Sequence, residues 1–211
     1  MRKTQLSAAE TAEMLRHVAD HIEANVDRLT QADQAIGDGD HGVGMARGFA
    51  AARQKLATQP PDTVAGALRS VGMAVLSATG GAAGAIFGTL FRSGVRRLEG
   101  ATAFDAPALA LFLEDGLQAI QERGHAAVGD KTMVDALAPA AAEARALAGQ
   151  SLDIALAGAS DAARKGMEAT RDMLPTMGKA WPLGERARGH VDPGALSMSL
   201  ILEAMAEYVA G

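Results

Sequence analysis

The sequence predicts an all-α protein, one domain of eight helices that run alternately up and down. Three observations carry that expectation. Apolar residues recur at helical spacing along the whole chain, without a convincing alternation of period two. Hydrophobic residues fill 48% of the 211 positions but aromatics only 3%, so the core must come from Ala, Leu, Val, Ile and ten Met. Short connections favour antiparallel neighbours, and no low-complexity linker or compositional break divides residues 1–211.

The first helix opens at Ser7, where Glu10 three residues on completes a capping-box pattern. Met14, Leu15, Val18, Ile22, Val26 and Leu29 continue it at helical spacing. A second helix is expected over about 43–56, through Met45, Phe49 and Leu56. The "TQPPD" break follows, and Asp62 is expected to cap a third helix over about 63–78. The fourth covers about 84–98, through Ile86, Phe87, Leu90, Phe91, Val95 and Leu98. Pro107 suits the first turn of a fifth, about 107–122. The sixth, seventh and eighth are placed at about 132–148, 152–174 and 194–209, the last just after Pro193.

Composition removes several function classes. Without cysteine there are no disulfides, thiolate metal sites or cysteine nucleophiles. A formal charge of −5, from 20 basic and 25 acidic residues, argues against a nucleic-acid partner, which calls for a basic excess. The start "MRKTQLSAAE" has no apolar signal core, so a cytoplasmic location is expected. Ser70 to Phe91 is free of charge and long enough to span a bilayer. Its five glycines and central "ATGGAAG" instead predict two buried helices joined by a tight turn, with no membrane partner.

With helices alternating, the first, third, fifth and seventh connections share one end of the molecule. They read "DQAIGDGDHG", "SATGGAAG", "RGHAAVGDK" and "GKAWPLGERARGHVDPG". Together with Gly44 they hold 13 of the 24 glycines, and the other three connections hold two. His41, His125, His190 and the single Trp181 lie in the same set. Helix capping would place glycine at both ends alike, so the asymmetry predicts a ligand site at one end, where backbone must approach closely.

The first of these loops places Asp33, Asp38 and Asp40 within eight residues. Three carboxylates so close repel one another, and a cation relieves the repulsion. All-oxygen ligation selects Mg²⁺, Ca²⁺ or Mn²⁺ over zinc. The loop is not an EF-hand, because Gly42 and Phe49 stand at its fifth and twelfth positions. "GDGDHG" has dinucleotide-type glycine spacing but follows a helix, and no G-x-x-x-x-G-K-[ST] loop exists. Elsewhere at this end, "HG" at 41–42, "TGGAAG", "GDKTM" and "DPG" each open a helix, and a helix N-terminus attracts anions. Four such ends with carboxylates among them predict a metal-dependent polyphosphate site. Lys131 and Arg186 are read either as neutralising phosphate or as holding their loops. Rich in glycine and Asp, this end is expected to lack an apolar pocket of its own.

"IGDGDHGVGMARGF", "GGAAGAIFGTLF", "RGHAAVGDKTMVDAL" and "LGERARGHVDPGA" resemble the nucleotide-binding L subunit of dihydroxyacetone kinases, equivalent to the C-terminal domain of the single-chain, ATP-dependent enzymes. The resemblance runs in order over almost the full chain. It implies a barrel of eight antiparallel helices with ADP or ATP at one rim and two Mg ions. Matched by motif, Asp33, Asp38 and Asp40 are the metal-binding positions. The nucleotide positions are His41, Gly42, Val43 and Gly44 in the first turn, Ala82 and Ala83 in the phosphate loop, Gly124 and Met133 near adenine, and Lys179, Asp192, Pro193 and Gly194 in the closing segment. The family commonly carries Asn, Ser and Arg where Gly44, Ala83 and Lys179 stand. The first two changes remove polar contacts, and Lys keeps the charge but not the planar fork.

The resemblance further implies phosphoryl transfer to a hydroxyl of dihydroxyacetone or a similar short ketose. The ketose is held covalently on a separate K subunit, which this chain is too short to include. The phosphoryl source is either exchanging ATP or a phosphotransferase-system subunit that recharges bound ADP, and the sequence is compatible with both. The alternative is a regulatory module that binds metal and nucleotide without turnover.

Overall fold

A computed structural model of the chain describes residues 2–211. Nine α-helices follow in order: α1 (Ala8–Ala24), α2 (Val26–Ile36), α3 (His41–Thr58), α4 (Val64–Ala78), α5 (Gly81–Ser93), α6 (Ala106–Gly124), α7 (Val134–Ala146), α8 (Leu152–Ala169) and α9 (Pro193–Ala210). Short 3₁₀ turns occupy Thr170–Asp172 and Trp181–Ala187. Among the described residues, extended pairing is limited to one antiparallel bridge, Leu6 with Phe104.

The helix expected as a single element from Ser7 through Leu29 is two, because Asn25 interrupts it with φ −102° and ψ 14°. Its side-chain Nδ2 donates to His21 O at 2.9 Å, competing with the helical ladder as Asn side chains do. Both pieces pack against α3 and α9 and barely touch each other, so they form one kinked rod. Eight rods result. Each packs against the next in the chain, and α9 returns to pack against α1, closing a barrel.

The caps follow the chemistry with one shift. Ser7 and Glu10 form the reciprocal capping box. The third expected helix is capped by Thr63, whose hydroxyl accepts from Gly66 N at 3.0 Å, rather than by Asp62. Asp105 caps α6, and Pro107 stands in its first turn. The helix expected to reach 174 ends at Ala169, where the chain tightens into a 3₁₀ turn. The charge-free stretch is α4, a tight turn and α5, and no helix among the described residues is long and apolar enough to cross a membrane.

Inside the barrel, the few rings meet as Phe49–Phe91 and Phe91–Phe112, with centroids 6.1 and 5.5 Å apart. Small residues and Met fill the rest. On α9, Leu196, Met198, Leu200, Ile201, Leu202, Met205 and Val209 are all buried, as a rod enclosed by neighbours requires. The N-terminal segment crosses one end of the barrel through Lys3 N to Val209 O (3.0 Å), the Leu6–Phe104 pair and Leu152 N to Thr4 O (3.2 Å). The opposite end carries the four glycine-rich connections.

Candidate functional site

The four glycine-rich connections meet around a cavity of about 650 Å³. The opening residues of α3, α5, α7 and α9 (His41, Gly81, Val134 and Pro193) all border it. First-turn N–H groups have no partner in the helix ladder. At α7 and α9 side chains take some of them, Val134 N donating to Thr132 Oγ1 at 3.2 Å and Ala195 N to Asp192 Oδ2 at 2.7 Å, so the open donors facing this space belong to the positive ends of α3 and α5.

The acidic cluster lies at its edge. Asp33, in the last turn of α2, is buried, whereas Asp38 and Asp40 are exposed. One carboxylate oxygen from each lies within 4.8 Å of the others. His41 N donates to Asp33 Oδ2 at 3.1 Å, fixing the buried carboxylate. Gly37 makes room for it: a Cβ there would stand 2.1 Å from Asp33 Oδ1. This all-oxygen donor set, one member anchored and two able to adjust, fits Mg²⁺.

Lys179 supplies the positive charge. Its Nζ pairs with Asp38 and lies 3.5 Å from Asp40 Oδ1. The hydrogen bond from Lys179 holds the Asp38 carboxyl below the usual range. Lys179 belongs to the long segment between α8 and α9, where Ala180, Leu183 and Ala187 pack on Ile36 of α2 in a small satellite core.

Thirteen of the fifteen residues expected from the sequence border the cavity: Asp33, Asp40, His41, Val43, Gly44, Ala82, Ala83, Gly124, Met133, Lys179, Asp192, Pro193 and Gly194. Asp38 stands outside its lining but within the acidic cluster. Gly42 is buried against α2, where a Cβ would meet Thr30 Oγ1 at 2.3 Å and Val26 O at 2.4 Å. The His41 ring reaches Ser197 Oγ at 2.7 Å, and desolvation lowers its pKa. Asp192 caps α9 by accepting from Ala195 N at 2.7 Å. Half-buried on the cavity wall, its carboxyl is pushed up to about 7 by desolvation, against the pull of that hydrogen bond.

Lys131 holds its loop. The side chain is buried, and Nζ donates to Thr170 O and, at 2.6 Å, to His190 O. Beside it Asp130 accepts from Thr176 Oγ1 at 2.6 Å and Ala127 N at 2.6 Å. The bonds to Thr170, His190 and Thr176 fasten the α6–α7 connection to the α8–α9 segment. Arg186 and Trp181 stay outside the lining.

The expectation that this end lacks an apolar pocket is overturned. Ile86, Phe87, Ile120, Met133, Val134 and Met177 give the cavity an apolar wall. Met133 is among the expected residues, but Ile86, Phe87 and Ile120 come from helix bodies, so a search of the glycine-rich segments passes over them. Arg47 and Thr79 were also missed; for Arg47 the available signal is its helical spacing from Gly44.

This chain is 35% identical over 191 residues to the ADP-binding subunit DhaL of PEP-dependent dihydroxyacetone kinase 1 from Listeria innocua, covering 90% of this chain and 91% of the relative. The corresponding Escherichia coli subunit is 34% identical over 203 residues, 95% and 97% of the two chains. Among solved structures, the dihydroxyacetone kinase of C. freundii in complex with AMP-PNP and Mg²⁺ superposes with a TM-score of 0.73 at 28% identity. That likeness covers 93% of this chain and 33% of the larger kinase chain. The model of the DAK2 domain matches residues 35–207, from the end of α2 through most of α9. By sequence, by fold and by the run of motifs around the cavity, the chain belongs to the DAK2 domain family.

Proposed function

We propose that this chain is the ADP- or ATP-binding subunit of a two-component kinase. It acts on dihydroxyacetone or a related short ketose held by a separate K subunit. The observation that carries the proposal is the meeting of four helix N-termini with Asp33, Asp38 and Asp40 around a cavity that also has an apolar wall. The wall suits a purine ring, the helix ends suit phosphates, and the carboxylates suit Mg²⁺ ions, two of them by the family resemblance. Residues Gly124 and Met133 stand at the adenine end. First-turn N–H groups of α3, at Gly42 and Val43, and of α5, at Ala82–Ala83, serve the phosphate oxygens.

In the reaction, a ketose hydroxyl oxygen bonds to the terminal phosphorus of ATP as the bond to the ADP oxygen breaks, and the hydroxyl proton leaves to solvent or to the K subunit. Such transfer rests on positioning and charge neutralisation. Asp33, Asp38 and Asp40 would hold Mg²⁺, which would supply part of that neutralisation. Asp33 stays fixed through the His41 N–H, Lys179 offers a second cation from the α8–α9 segment, and Asp192–Gly194 close the far side. Val43, Val128 and Trp181, from three of the cavity-forming segments, are 56–64% exposed. Exposed apolar residues grouped around a site suit a protein partner, which here is the K subunit. Bound nucleotide is recharged either by exchange with ATP or by a phosphotransferase-system subunit.

Calorimetry of ADP binding with and without Mg²⁺ tests the reading. Asp38→Asn and Asp40→Asn are expected to abolish Mg²⁺-dependent ADP binding while leaving the helical circular-dichroism signal intact. Both carboxylates are exposed, so the fold does not depend on them. Unchanged Mg²⁺–ADP affinity in both variants would remove the proposed site.

A further inference from the structure

Arg47 borders the cavity beside Asp40, Val43 and Gly44. These positions stack on one face of α3, because residues three and four apart on a helix are neighbours. Gly44 has no side chain, and Thr79 packs over it: a Cβ there would lie 3.3 Å from Thr79 O. Its Nε donates to Ala78 O at 2.6 Å and its Nη2 to Thr79 O at 2.6 Å. Those carbonyls end α4, where the helix leaves its last acceptors without partners. Gly80 follows, and a Cβ there would lie 3.7 Å from Arg47 Nη2. The guanidinium is therefore pinned against the turn that leads into Gly81, Ala82 and Ala83, all of which border the cavity.

Two features separate this from a plain helix cap. A guanidinium has five N–H donors, and the two carbonyl bonds leave three. Among the described residues, no carboxylate lies within ion-pair distance of Arg47, whereas Lys179 is paired with Asp38 and Asp40. Arg47 is an uncompensated cation, fixed by neutral groups, beside a helix N-terminus that already favours anions.

Resting on the nucleotide reading above, we propose that Arg47 is a phosphate-contacting residue of this site. It steadies the Gly80–Ala83 turn with one edge of its guanidinium and presents the other to the β- and terminal phosphate oxygens of the nucleotide. A planar fork matches phosphate geometry where a lysine gives only a point charge.

The test compares ADP and AMP affinities, with Mg²⁺ present, for the wild-type chain, Arg47→Met and Arg47→Lys at low and high salt. Arg47→Met is expected to weaken ADP binding roughly ten- to a hundredfold, as loss of hydrogen bonds to a charged group does. AMP should lose much less, and the ADP deficit should shrink at high salt. Arg47→Lys should fall between the two. An unchanged ADP affinity, or an equal loss for AMP and ADP at both salt levels, would overturn the proposal, since collapse of the turn alone would not distinguish phosphate number. If Arg47→Met fails to fold, the ADP-to-AMP ratio of Arg47→Lys decides, and an unaltered ratio counts against the proposal. A wild-type chain that binds neither nucleotide would remove the functional reading and this inference with it. A wild-type chain that binds both while the variants match it would remove only the inference.

Discussion

Lys179 and Ala83 show how a single side chain sets the demands on its neighbours. Lys179 brings its ammonium to Asp38 and Asp40, so the acidic cluster carries an internal cation. Its place in the α8–α9 segment joins the conformation of that segment to the charge state of the cluster. Ala83 lies in the first turn of α5 and borders the cavity, where the family commonly has Ser. Ala83→Ser adds one neutral hydroxyl, which contributes about 0.5–1.5 kcal/mol net when bonded. ADP affinity, read by calorimetry, is expected to stay level or to tighten by at most roughly tenfold. A large loss would mean that the turn is packed against position 83 from within, which is incompatible with a phosphate-facing role.

Between helices, glycine sets distance as much as conformation. Gly42 lets the start of α3 press against α2, with Val26 O and Thr30 closer to its open face than any Cβ tolerates. Gly42→Ala is expected to destabilise the protein by about 1–3 kcal/mol, the usual effect of overpacking. For a chain of this size that lowers the melting temperature by several degrees. Gly149, in the α7–α8 connection, has nothing within 4 Å of an added Cβ and no left-handed φ, so Gly149→Ala should leave stability level or slightly raised. Equal melting temperatures for the two variants would refute the packing role of Gly42. A similar close approach serves α7 and α8. Pro139 cannot donate to Asp135 O, and Gly166 of α8 packs directly on that carbonyl. At this scale the sequence was legible in part. The capping box at Ser7 needs only four residues, and it formed as expected. The break at Asn25 escaped because Ile22, Val26 and Leu29 stay in helical phase across it.

For the molecule as a whole, the closed ring explains why a site built from four distant segments is held together. Each rod is fixed by two neighbours, so the four helix starts have little freedom to separate. The same closure leaves the exposed Val43, Val128 and Trp181 on one end. On the proposed reading, the purified chain should not phosphorylate dihydroxyacetone with ATP by itself. Addition of the cognate K subunit should restore transfer, and Asp38→Asn should remove it again. A coupled assay for ADP release reads all three conditions. Robust turnover by the isolated chain would overturn the partner-dependent reading, and with it the assignment of this end as a docking face.

By itself the sequence determined the all-helical character, the eight rods, the end that carries glycine and the acidic cluster. These are properties of local spacing: helical period is written in neighbouring residues, and Asp33, Asp38 and Asp40 lie within eight residues of chain. Only the tertiary structure decided what shares the cavity with them. Ile86, Phe87, Ile120 and Met177 read as ordinary core residues until ring closure turns them toward the same space. The sequence offers Lys131 and not Arg47 as a cation for phosphate, yet Arg47 borders the cavity and Lys131 is buried, bonded to two backbone carbonyls. Which face of a helix meets a cavity depends on the neighbours that fix its rotation, and those neighbours come from distant parts of the chain.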